Sequence, residues 1–107
     1  MPKYLIQASY TPDGLKGLIA QGGTKRREAV QQLVESVGGK LETLYFGFGS
    51  EDVHMIIDAP DNIAVAAATL TAGAAGAATN VRTSVLLTPE DIDQAAEKTV
   101  RYEPPGQ

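Results

Sequence analysis

The sequence predicts an α+β domain of the split βαβ class, with four strands in one antiparallel sheet and the main helices on a single side of it. Three observations predict this. Period-two alternation of apolar and polar residues recurs in four segments, residues 3–10, 41–48, 53–58 and 79–87. Helical stretches separate the first segment from the second and the third from the fourth, whereas only a short polar joint separates the second from the third. Right-handed crossovers then put both main helices on the same face.

The first strand, Lys3 to Tyr10, places Tyr4, Ile6, Ala8 and Tyr10 on one side and Leu5, Gln7 and Ser9 on the other. Thr11-Pro12-Asp13-Gly14 reads as an N-cap with proline at the first helical position, opening a short helix that carries Leu15, Leu18 and Ile19. Gly22-Gly23 breaks that helix. Thr24 is expected to cap a longer one, in which Val30, Leu33, Val34 and Val37 recur at helical spacing until Gly38-Gly39 closes it. Leu41 to Phe48 and Val53 to Asp58 form a hairpin across the joint Gly49-Ser50-Glu51-Asp52.

Pro60-Asp61-Asn62 opens an alanine-rich helix running through Ala72, a closely packed small-residue element interrupted by Gly73 and Gly76. Thr79 to Leu87 is the fourth strand. Thr88-Pro89-Glu90-Asp91 caps a last helix through about Val100, with acids in its first turn where the helix dipole favours them. The order is therefore βαββαβ plus a C-terminal helix, a ferredoxin-like sandwich.

With 107 residues there is enough chain for one core and not for two, so a single domain over residues 1–103 is expected, followed by a flexible tail at 104–107. A hydrophobic fraction of 43% and a charged fraction of 21% are those of an ordinary globular protein. The net charge of −4 argues against nucleic acid as a partner, because that affinity needs basic residues to displace counterions. The chain contains no cysteine, which rules out a disulfide framework or a thiolate nucleophile and fits a cytoplasmic setting. The opening Met1-Pro2-Lys3-Tyr4 lacks the regions of a signal peptide, and no apolar run approaches the ~20 residues that span a bilayer, so no membrane role is expected.

Strand parity sorts the side chains onto two faces. Tyr4, Ile6, Ala8, Leu44, Phe46, Phe48, Val53, Met55, Ile57, Thr83, Val85 and Leu87 form the more apolar set, assigned to the helices. Leu5, Gln7, Ser9, Thr43, Tyr45, His54, Ile56, Arg82, Ser84 and Leu86 form the other set. This second face is too apolar to be left bare and too polar for a plain core. It suits a cavity shared with a second copy of the chain.

Several segments in order carry a family resemblance: Tyr4-Leu5-Ile6, Gly22-Gly23 with Lys25-Arg26-Arg27-Glu28, Gly38-Gly39-Lys40, the hairpin ending in Asp52, Ala59-Pro60-Asp61, and Leu86-Leu87-Thr88-Pro89-Glu90. Together they resemble the GYD-domain family of the dimeric α/β-barrel superfamily. Glu51 stands where that family usually has an aromatic residue before the aspartate. The resemblance implies two sheets packed face to face across a twofold axis. It implies no single chemistry, since similar dimeric barrels serve monooxygenases, isomerases, haem enzymes and effector-binding domains.

The expected ligand-binding residues are Gln7, Ser9, Thr43, Tyr45, His54, Arg82 and Ser84, on the second face. His54, the only histidine, suits proton transfer near neutral pH; the plainer alternative is a hydrogen-bonded interface histidine. Asp58 is the one nearby carboxylate of matching parity, so no metal site is expected, and no cofactor is assigned. Arg82 offers the fork that suits an anion, or else it pairs with a carboxylate such as Asp58 across the sheet or interface. Lys25-Arg26-Arg27 oppose the dipole at a helix N-terminus, but without the order of a phosphate-binding loop they read as a solvated face or as partners in salt bridges. Glu51-Asp52 reads as a turn.

The function expected first is a homodimeric module that binds a small organic molecule or serves assembly, with itself as partner. The alternative is a cofactor-independent monooxygenase or isomerase with His54 or Tyr45 as base and Arg82 steadying an oxyanion. A structural protein without ligand is the third reading.

Overall fold

A computed structural model describes all 107 residues. The order of elements is β1 (Lys3–Tyr10), α1 (Pro12–Gln21), α2 (Gly23–Ser36), β2 (Lys40–Phe46), β3 (Val53–Asp58), α3 (Asn62–Ala74), β4 (Ala78–Leu86) and α4 (Pro89–Ala96). The strands form one sheet in the order β2-β3-β1-β4, with every neighbouring pair antiparallel. This is the ferredoxin-like arrangement, and it makes β1 and β3 the central strands.

The core lies between the sheet and helices α2 and α3. Tyr4, Ile6 and Ile57 from the sheet meet Val30 and Val34 from α2 and Val65 from α3, and Ile57 is fully buried. The Tyr4 hydroxyl stays satisfied in this setting by donating to Asn62 Oδ1 at 2.7 Å. A second cluster, Ala8, Tyr10 and Val53, continues the core towards the hairpin. Because the buried side of α3 is built of small residues such as Ala68 and Ala72, a cavity of about 60 Å³ remains beneath the helices.

Three helices begin at side-chain caps that the sequence marks, α3 among them with the Asp61 carboxylate accepting from the Ala64 N–H. The Thr11 side chain accepts from the Gly14 N–H, and Thr88 and Asp91 form a reciprocal capping box. The start of α2 differs. Gly22, at φ 85°, serves as both the end of α1 and the N-cap of α2, so Thr24 lies inside the first turn and caps nothing. A one-residue joint between two helices leaves room for a glycine in the left-handed region and for no separate cap.

Other expectations are corrected in detail. Phe48 does not extend β2 on the helix face; it is fully exposed in the hairpin loop, where Gly47 and Gly49 turn the chain out of the strand. Leu87, expected on the helix side, lies exposed beyond the end of β4, and Thr83 and Val85, which share that side by register, are exposed as well. These two belong to an edge strand, and α3 carries too little side-chain bulk to reach over it, which leaves a cleft of about 280 Å³ above Thr83 and Val85. Helix α4 ends at Ala96, short of Val100.

Every residue from Leu87 to Gln107 is exposed, and α4 buries none of its side chains. The radius of gyration is 17.0 Å, against about 13 Å for a compact domain of this length. The excess belongs to this C-terminal arm, which carries Ile92, Val100 and Tyr102 into solvent.

Candidate functional site

The face of the sheet opposite the helices holds the candidate site. Direct cross-strand pairing sets Tyr45 opposite His54, His54 opposite Gln7, and Gln7 opposite Arg82. These four side chains therefore run in one transverse row across all four strands. The next row, Thr43, Ile56, Leu5 and Ser84, supplies an apolar centre with a hydroxyl at each end. Parity read from the sequence places these residues on the face where the register puts them.

Two bulges shape this face. One extra residue in β2, between Leu41 and Thr43, lets Leu41 join Leu44 on the core side while Thr43 and Tyr45 stay on the open side. Another in β4, between Thr79 and Arg82, includes Asn80 at φ 52°, a left-handed conformation that asparagine tolerates better than most residues. It brings Arg82 into line with Gln7.

Within the row, Gln7 Nε2 lies 3.1 Å from His54 Nδ1. With the amide donating, Nδ1 is the acceptor and the imidazole proton sits on Nε2, an assignment made from the hydrogen-bond geometry. Gly47 gives that edge of the ring its space, because a Cβ there would stand 3.1 Å from Nε2. Tyr45 is 70% exposed beside it. Ser9 donates to the Ser50 carbonyl at 3.3 Å, tying β1 to the hairpin, and Ser84 is exposed.

Arg82 does pair with a carboxylate, though not with Asp58. It donates to Glu51, whose other carboxylate oxygen accepts from Ser50 Oγ. The hairpin folds back over the sheet here: the Asp52 N–H donates to the Ala8 carbonyl at 2.9 Å, and its carboxylate accepts from the Tyr10 N–H at 2.8 Å. Glu51 is thereby carried inward until only 6% of its surface is exposed. Asp58 instead accepts from Lys3 at 2.9 Å, and Glu42 accepts from the same ammonium at 2.8 Å. The hydrogen bond from Glu42, then that from Asp58, hold the Lys3 pKa above the usual lysine value.

Glu51 is the site residue that sequence reasoning missed. Its signal was the replacement of an aromatic residue by an acid at that hairpin position, on a chain whose open face carries a single arginine. The turn role expected of Asp52 is visible in its two bonds to β1. Arg26, expected on a solvated face or in salt bridges, donates to Tyr10 OH at 3.2 Å and stacks 5.6 Å from that ring's centre.

Compared with known protein families, residues 4–96 match the GYD domain. The chain belongs to the GYD-domain family. No curated protein matches it. The match covers β1 through α4, so the row on the open sheet lies wholly within the GYD domain. No helix of this GYD domain is long and apolar enough to cross a membrane. His54 is held by the Gln7 amide.

Proposed function

We propose that this GYD domain is a homodimeric binding module, in which a second copy covers the open sheet and a small organic molecule occupies the space between the two faces. The observation that carries the reading is the Tyr45–His54–Gln7–Arg82 row, set beside the apolar Leu5 and Ile56 on a face that no helix of the chain covers. Such a mixture of apolar wall and a few convergent polar groups is what small-molecule sites use. The exposed arm adds support, since Ile92, Val100 and Tyr102 are each left more than half exposed.

Binding fits better than base catalysis. A general base benefits from a charged group that stabilises its protonated form, and His54 has only Gln7. Arg82, the obvious oxyanion donor, is already engaged by Glu51.

The test combines analytical ultracentrifugation of the full chain with a thermal-shift screen of neutral and charged small molecules and native mass spectrometry of the hits. A dimer with at least one saturable ligand, lost in Tyr45→Ala, is the expected result. A monomer that no compound stabilises would overturn the reading.

A further inference from the structure

We propose that the open-sheet site selects uncharged, flat, hydrogen-bonding molecules such as phenols and aromatic amides, and that Glu51 makes it reject carboxylates by cancelling Arg82. This rests on the binding reading above and specifies its ligand class.

Every basic side chain on this face has an acid beside it. Arg82 donates to Glu51, Lys3 to Glu42 and Asp58, and Lys40 lies directly opposite Asp58 in the sheet register. The three cations Lys3, Lys40 and Arg82 thus each stand beside one of the acids Glu42, Glu51 and Asp58, and none of them is left free to take an anion. The Arg82 pair matters most because its acid is inside: Glu51 is buried while Arg82 is half exposed. An incoming carboxylate would have to share the guanidinium with a buried negative charge that cannot move away into water, and like charges at short range repel.

What remains unengaged suits a neutral guest. The Tyr45 hydroxyl and Gln7 Oε1 have no partner within the chain, and His54 presents its Nε2 edge. The Tyr45 ring offers a flat surface for stacking, and Leu5 and Ile56 form an apolar floor. A phenol or aromatic amide meets these groups without leaving a charge unpaired.

The test uses 2-naphthol and 2-naphthoate, two probes of one ring system that differ in charge at pH 7, titrated by fluorescence into the full-length protein. Naphthol is expected to bind at least about ten-fold more tightly than naphthoate, a ratio set by a single uncompensated charge. In Glu51→Gln, naphthoate should gain about ten-fold or more while naphthol changes less than about three-fold, because only the charge has been removed. Circular dichroism checks that the variant is folded; if it is not, the native pair of titrations decides. Naphthoate binding as tightly as naphthol to the native protein, or no gain for naphthoate in a folded Glu51→Gln, overturns the inference and leaves the binding reading standing. Failure of both probes on a dimeric native protein also overturns the inference, because a phenol is then not bound, and the broader thermal-shift screen decides the binding reading.

Discussion

Helix α1 contains two glycines three residues apart for which the same substitution should act in opposite directions. Glycine inside a helix costs roughly 0.5–1 kcal/mol relative to alanine, through the backbone freedom it loses on folding. At Gly17 nothing lies within 4 Å of an added Cβ, so Gly17→Ala should recover that amount. Gly14 is the one buried residue of α1, and a Cβ there would stand 2.1 Å from the Ala77 carbonyl oxygen, with the Ala77 carbonyl carbon at 3.0 Å. The obstacle is backbone, held by the Thr11 N–H at 3.0 Å from the same oxygen, so no side chain can swing aside. Forcing a methyl into such packing costs typically 1–3 kcal/mol or more, which exceeds the propensity gain. Gly14→Ala should therefore lose about 1–2 kcal/mol, and Gly17→Ala should gain up to about 1. At about 4 °C per kcal/mol for a domain of this size, the two melting temperatures should fall on opposite sides of the native value, several degrees apart. Thermal unfolding followed by circular dichroism measures this. Equal shifts of the same sign would show that helix propensity, rather than the approach of α1 to Ala77, governs this helix.

Filling the cavity beneath α2 and α3 with Ala68→Val should stabilise the domain by no more than about 1.4 kcal/mol, the value of 60 Å³ at about 24 cal/mol per Å³, less a few tenths for a β-branched residue in a helix; urea unfolding measures it, and a loss above about 1 kcal/mol would mean the cavity is not where the new methyls go. Arg82→Ala should cost roughly 1–3 kcal/mol by leaving the buried Glu51 carboxylate without its counter-ion, and markedly less in a Glu51→Gln background. A double-mutant cycle showing no coupling would remove the pair from the account. Because the Lys3 pKa is raised in the folded state, its contribution is present in full below the ordinary lysine range and is lost as pH rises through the folded value. The stability gap between native protein and Lys3→Met should accordingly stay constant from neutral pH upward and close only in strong alkali, and a gap that closes near neutrality would contradict this.

Much of the fold could be read along the chain because local signals agreed with one another. Thr11-Pro12 and Thr88-Pro89 cap helices in the structure as they do on paper, and Val53–Asp58 is bounded in both alike. Boundaries slipped where a glycine had two duties or where a loop looked like a strand. Gly22 ends one helix and starts the next, and Phe48 continues the alternation of β2 in sequence while the chain has already turned. Parity sorted the open face because each residue's side is dictated by its own strand, even across two bulges.

The partners of the charged groups were beyond that reasoning. Arg82 and Asp58 lie on one face, and their pairing looked natural from parity, but each finds another partner: Arg82 meets Glu51 when the hairpin folds over, and Lys3 draws in both Asp58 and Glu42. By itself the sequence determined the order of strands and helices, the two faces of the sheet and the row of polar residues on one of them, since these follow from backbone period, caps and connection handedness. Only the tertiary structure decided that Glu51 is buried against Arg82 and that the C-terminal arm leaves the body. Both depend on how distant segments meet in space, and no local pattern of side chains encodes that.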